Sequence, residues 1–157
     1  MKSASELAEE DLARSGISVV EAEEAGMYPT DNAKEADNGF KELPGLVIPY
    51  HDVTGNHFGF SRVRYLGDLP RTRSFVKHKP QRYAQPKDSG VYAYFPKCDT
   101  INWQEVVEDV ETPIVITEGE KKALRACLSG IPCVGLGGVY NFMRGDHLIP
   151  IVTGKQA

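Results

Sequence analysis

No stretch of about eighteen apolar residues occurs anywhere in the chain, and Met1-Lys2-Ser3-Ala4 does not open a continuous apolar segment of the signal-peptide kind. A cytoplasmic protein is therefore expected. Cysteine is scarce: Cys98, Cys127 and Cys133 make an odd number with no Cys-x-x-Cys spacing, which argues against a disulfide framework or a zinc ribbon and leaves buried or free thiols. Nucleotide-binding glycine motifs are lacking as well. Gly135-Leu136-Gly137-Gly138 follows an apolar run but does not have G-x-G-x-x-G spacing, and Gly154-Lys155 has no upstream P-loop glycine. His51 and His57 flank a turn with Asp52 nearby, and such scattered histidines read as solvated rather than metal-bound. There is no internal repeat and no low-complexity tract.

What remains is 157 residues, 41% of them hydrophobic, enough for one compact domain or two small ones sharing a core. The formal net charge of −4 hides an asymmetry. Residues 1–42 carry four Lys/Arg against eleven Asp/Glu, whereas residues 60–87 carry Arg62, Arg64, Arg71, Arg73, Lys77, Lys79, Arg82 and Lys87 against Asp68 alone. This basic island is either an ordinary solvated face or an electrostatic footprint for nucleic acid.

Local patterning divides the chain into four expected segments. In 1–29, the spacing of Ser3, Leu7 and Leu12, with Ala4, Ala8 and Ala13 between them, predicts a helix over 3–14 ending at Ser15-Gly16, and Ser18 with Glu21 forms a capping-box spacing for a second short helix to about Ala25. Residues 30–42 are polar and read as a loop or disordered linker. Residues 43–112 open with a β-hairpin, Leu46–Tyr50 and Phe58–Tyr65 around the turn residues Asp52–Asn56. They continue through a basic loop to a short strand, Val91–Phe95, whose Tyr92, Tyr94 and Phe95 read as core, and a helix over Asn102–Val110 stopped by Pro113. Residues 113–157 contain a strand, Ile114–Thr117, a helix, Lys121–Leu128, and a second strand, Cys133–Leu136. The expected class is α+β: short helices, a small antiparallel lobe, then an incomplete strand–helix–strand unit.

Glu118-Gly119-Glu120 sits where the first of those strands gives way to its helix, the edge at which open α/β sheets place ligands. Two carboxylates across a glycine can offer oxygens to a divalent cation, with Gly119 allowing close backbone approach. Acidic residues also complement the dipole of any helix start, so a structural role stays open beside the catalytic one.

The segment Pro113–Phe142, PIVITEGEKKALRACLSGIPCVGLGGVYNF, resembles the first half of a Toprim domain, in the mobile-element variant with the EGEKKA motif (DUF3854-like) found in primase-like proteins of phages and plasmids. LARSGIS (12–18), LVIPYHDVTGN (46–56), RVRY (62–65) and RYAQPKDSGVYAYFP (82–96) resemble, more loosely, the lobe preceding Toprim in that group. The resemblance implies metal-dependent nucleotidyl or phosphoryl transfer, with Glu118 and Glu120 catalytic, Glu118 at an Mg²⁺ or Mn²⁺ ion, and Gly119, Gly137 and Gly138 as backbone turns. It also implies that the eight cations of the basic island face single-stranded DNA, with Tyr65 or Tyr83 stacking on a base. Two features depart from the pattern. Lys122 stands where many primases have aspartate, and no Asp-x-Asp follows Gly138, Asp146 being alone before Ala157. The isolated chain is therefore expected to be a truncated, inactive unit with an unpaired sheet edge that invites self-association, and whose partners include a helicase or the missing C-terminal half. A noncatalytic nucleic-acid-binding or adaptor module, or a small phage protein binding a host partner, is the alternative.

Overall fold

The computed structural model describes residues 1–69 and 80–138, together with the backbone of 143–144 and 147–148. The class is α+β. Helix α1 (Ala4–Ala13) is opened by a Ser3–Glu6 capping box and α2 (Val19–Glu24) by the Ser18–Glu21 box. In each, two amides at the helix start gain partners that the helix itself cannot give. The buried residues of α1, Ala4, Ala8, Asp11 and Leu12, fall on one face at helical spacing.

Strands β1 (Tyr28–Thr30), β2 (Gly45–His51), β3 (His57–Tyr65) and β4 (Tyr83–Ala84) form one antiparallel sheet in that order. The β2–β3 pairing matches the expected hairpin, with an irregularity between Pro49 and His51 where proline can give no ladder hydrogen bond. Strand alternation sends Leu46, Ile48 and Tyr50 to the main core, while Val47 meets Ala33, Phe40, Val63 and Tyr65 in a second, smaller one. Residues 30–42 thus differ from the expected linker. Ala33 lies in a one-turn 3-10 helix (Ala33–Glu35) and donates to the Leu43 carbonyl at 2.9 Å, so this segment caps the second core. Polar composition hid the two apolar side chains that anchor it.

Helix α3 (Trp103–Glu108), capped by Asn102, leads to β5 (Val115–Glu118), α4 (Glu120–Leu128) and β6 (Cys133–Leu136). Strands β5 and β6 pair in parallel, Val115 with Cys133 through Glu118 with Leu136. On its other side β6 meets Tyr94, whose N–H and C=O both bond to Gly135 at 2.8 and 2.9 Å. That single bridge is all of the strand expected at 91–95; the flanking rings instead pack as Phe60–Tyr92 and Phe95–Trp103 pairs. The main core joins Leu12, Ala22, Ile48, Phe60, Tyr94, Leu124 and Val134, so the N-terminal helices, the β-lobe and the parallel unit share one interior. Strands β7 (Met143–Arg144) and β8 (His147–Leu148) pair antiparallel with each other. No helix among the described residues is long and apolar enough to cross a membrane.

Candidate functional site

The site begins at the junction of β5 and α4. Glu118, the last residue of β5, is exposed, and its neighbour Gly119 has φ +94°, a conformation that favours glycine. A Cβ added at Gly119 would meet nothing within 4 Å among the described residues, which leave the backbone there open to approach. Across the sheet, a Cβ on Gly135 would lie 3.0 Å from the Gly119 carbonyl oxygen and 3.3 Å from Ala123 Cβ. Glycine at 135 is what lets the start of α4 sit close against β6. Gly137 and Gly138 follow β6 and are half-buried.

Glu120 and Lys121, one and two residues farther on, turn inward. Glu120 is fully buried, and its Oε1 accepts from Tyr50 Oη at 2.7 Å and from Arg62 Nη1 at 2.6 Å. Burial and the adjacent Glu120 charge push the Tyr50 phenol well above its ordinary value, so it remains a donor. Lys121 Nζ donates to Asp11 Oδ2 at 2.7 Å and to the Asp11 carbonyl at 3.2 Å. Arg64 completes the cluster with a bidentate pair on the same carboxylate, Nε to Oδ2 and Nη2 to Oδ1, both 2.7 Å. The Tyr83 ring lies 5.2 Å from the Arg62 guanidinium carbon and 5.1 Å from that of Arg64. Two ion pairs thereby fasten the start of α4 to α1 and β3. Glu120 Oε2, Arg62 Nε and Tyr94 Oη lie buried in this region without hydrogen-bond partners among the described residues.

These positions separate the expected site residues into groups. Of the acidic pair, Glu118 is exposed, while Glu120 is enclosed with its Oε1 paired to Arg62 and Tyr50, a difference that their spacing alone did not show. Of the basic island, Arg62 and Arg64 point inward to Glu120 and Asp11, because Phe60, Arg62 and Arg64 share the strand face that covers the main core. Arg82 and Lys87 are exposed, Arg82 donating to the Gly67 carbonyl at 2.8 Å. Arg71, Arg73, Lys77 and Lys79 lie outside the described residues. Tyr65 is buried and accepts from the Lys41 amide at 2.9 Å, and Tyr83 is half-buried beside the two arginines, so neither ring stands free for stacking on a base. Lys122 is exposed on α4. Sequence reasoning did not anticipate Asp11, Tyr50 and Lys121 as members of the cluster. The clue available was an acidic residue on the apolar face of α1.

The model of a domain of unknown function (DUF3854) matches residues 102–149, a span that contains α3, β5, α4 and β6. An uncharacterized protein of Picosynechococcus sp. (strain ATCC 27264 / PCC 7002 / PR-6) is 41% identical over a 109-residue alignment that covers 55% of this chain and 11% of the relative. The chain thus spans about a tenth of the length of that protein. No solved structure matches it.

Proposed function

We propose that this chain is part of a primase-like, nucleic-acid-associated protein of Toprim type, as carried by mobile elements, in which Glu118 serves metal-dependent nucleotidyl or phosphoryl transfer. The position of Glu118 supports the reading: an exposed carboxylate at the carboxyl end of a parallel strand, followed by an unobstructed glycine, at the edge where α/β sheets bind ligands. Its oxygens suit a hard cation such as Mg²⁺ or Mn²⁺. One carboxylate fills only part of an octahedral shell, so further oxygens would come from substrate phosphates, water or carboxylates outside the described residues. A bound ion of this kind would neutralise charge developing on phosphate oxygens. Glu118 would hold it or move a proton beside it, and the Glu120–Arg62 and Asp11–Lys121 pairs would keep the β5–α4 turn in place.

The alternative, a noncatalytic nucleic-acid-binding or adaptor module, draws support from the enclosure of Glu120, which leaves Glu118 as the outward carboxylate of the motif. One set of measurements separates the readings. The chain alone is expected to show no primer synthesis or nuclease activity, to bind Mn²⁺ weakly in a manner lost in Glu118→Gln, and to bind single-stranded DNA with marked salt dependence. Changing Arg82 and Lys87 together to Ala should reduce the salt slope by about 2, one unit per phosphate contact. Mn²⁺ binding indifferent to Glu118→Gln would remove that residue from the chemistry. DNA binding that salt does not weaken would remove the basic island.

A further inference from the structure

We propose that Cys98 is a redox-modification site: a small hydroperoxide oxidises its sulfur to a sulfenic acid, and Cys127 resolves this to a Cys98–Cys127 disulfide that ties the 96–102 segment to α4. Cys98 is half-exposed on the wall of a cleft of about 440 Å³ shared with His51, Lys97, Asn102, Trp103 and the turn at 52–55. Cys127 is fully buried in the main core, against which Cys98 packs. The two residues are also stapled through one hydroxyl. Cys98 Sγ lies 3.3 Å from Thr100 Oγ1, which donates to the Cys127 carbonyl at 2.5 Å.

The electrostatics divide the roles. Cys127 beside it, opposed by partial burial, together with the backbone N–H groups of Ile101 and Thr100, pulls the Cys98 thiol down to about 6. The Cys127 thiol is pushed up by Cys98 and by burial, so the pair keeps its proton on the inner sulfur and its charge on the outer one. An accessible thiolate next to a protonated second thiol is the arrangement that favours a disulfide over further oxidation. Cys133 is buried, and its carbonyl accepts from Cys127 Sγ at 3.3 Å. His51 on the same cleft wall is buried, and its Nδ1 has no hydrogen-bond partner among the described residues.

The chemistry balances in two steps. The Cys98 thiolate attacks one peroxide oxygen; the S–O bond forms as the O–O bond breaks, sulfur gives up two electrons, and the departing oxygen takes a proton to leave as water or an alcohol. Cys127 sulfur then attacks the sulfenic sulfur; the S–S bond forms, the S–O bond breaks, and the leaving hydroxide takes the Cys127 proton as water. A dithiol reductant reverses the outcome.

The test treats the full chain with hydrogen peroxide and follows free thiols and peptide masses. Two of the three thiols should disappear, and a joined species about 2 Da lighter than its two parts should form and be lost on reduction. Cys127 and Cys133 share the tryptic peptide 126–144, so the Cys133→Ser variant, which should react at the wild-type rate, assigns the partner. Cys98→Ser should abolish the reaction. Cys127→Ser should leave a Cys98 sulfenic acid that a 1,3-dione traps. The rate should reach half its plateau near pH 6. A bond that requires Cys133, Cys98 passing to sulfinic acid while Cys127 stays free, or a half-plateau near the ordinary thiol value of about 8.5 would each overturn the proposal.

Discussion

Strand β3 turns two arginines inward, whereas β5 leaves two successive aliphatic side chains, one on each face, half exposed. Arg62 and Arg64 are accepted in the interior because each meets a carboxylate at 2.6–2.7 Å and both lie against the Tyr83 ring. Burying a charge is costly, but a paired and hydrogen-bonded charge recovers most of that cost and fixes which elements meet. Val115 and Ile116 are exposed to 48% and 47%, on a strand that among the described residues pairs only with β6. On its outer side this apolar strand has no neighbour among the described residues. The inward charges mark contacts completed within this chain, and the exposed aliphatics mark an edge that no described residue covers.

The sharpest way to break the comparison is to remove one member of the fully buried pair. Glu120→Ala leaves Arg62 enclosed without a counter-charge, and removing one partner from a buried pair costs about 3–5 kcal/mol. Urea unfolding should show a loss of that size. Replacing both, Arg62→Leu with Glu120→Leu, should restore most of it, since apolar residues of similar size avoid the uncompensated charge. A single-mutant cost below about 1 kcal/mol would mean that water already relieves the site, and that the pair is not what fastens α4 to β3.

A smaller effect should follow pH. Burial raises the Asp11 carboxyl, but the hydrogen bonds and charges of Arg64 and Lys121 outweigh it and hold the pKa below the ordinary value. Its stabilising contribution is therefore present above the unfolded value of about 3.9 and is lost as pH falls through the lower folded value. Stability should decline on the acid side of pH 4 by on the order of 1–3 kcal/mol from this group. Asp11→Asn should lower neutral-pH stability and flatten that acid limb. An acid limb equally steep in Asp11→Asn would place its origin in other carboxylates, such as the helix-capping Glu6 and Glu21, which their serine partners also hold low.

Much of this arrangement was legible in the residues. The helical spacing of α1, the Ser18–Glu21 box, the hairpin around Asp52–Asn56 and the β5–α4–β6 unit are local signals, set by periodicity and turn chemistry over a few residues. The ion-pair cluster was not legible in the same way, because Asp11 and Lys121 are 110 residues apart and composition alone makes Arg62 and Arg64 look like surface. Strand parity held a clue. Residues 60, 62 and 64 must share a face opposite Val63 and Tyr65, and that face begins with the buried Phe60. Glu118 and Glu120 illustrate the limit: two glutamates across a glycine, one outward and one enclosed, are told apart only by what β3 brings against the second.

The least perturbing test concerns the outward half of the comparison. If the free edge of β5 pairs with another strand, a second copy of the chain can supply one, and self-association should appear in sedimentation as concentration rises. Replacing Val115 and Ile116 with Lys should suppress it while changing the stability of the monomer by no more than about 0.5–1 kcal/mol, because both side chains are half in water already. Hydrogen exchange gives the same information amide by amide: the outward amides of 114–118 should be weakly protected in dilute protein and gain protection in concentrated protein. Leu148 pairs with Met143 in the β7–β8 ladder, and residues 149–152 lie outside the described residues. A strictly monomeric protein whose amides at 114–118 are strongly protected at every concentration would mean that the edge is already covered within the chain, and the outer edge of β5 would then lose its meaning as a site for a partner strand.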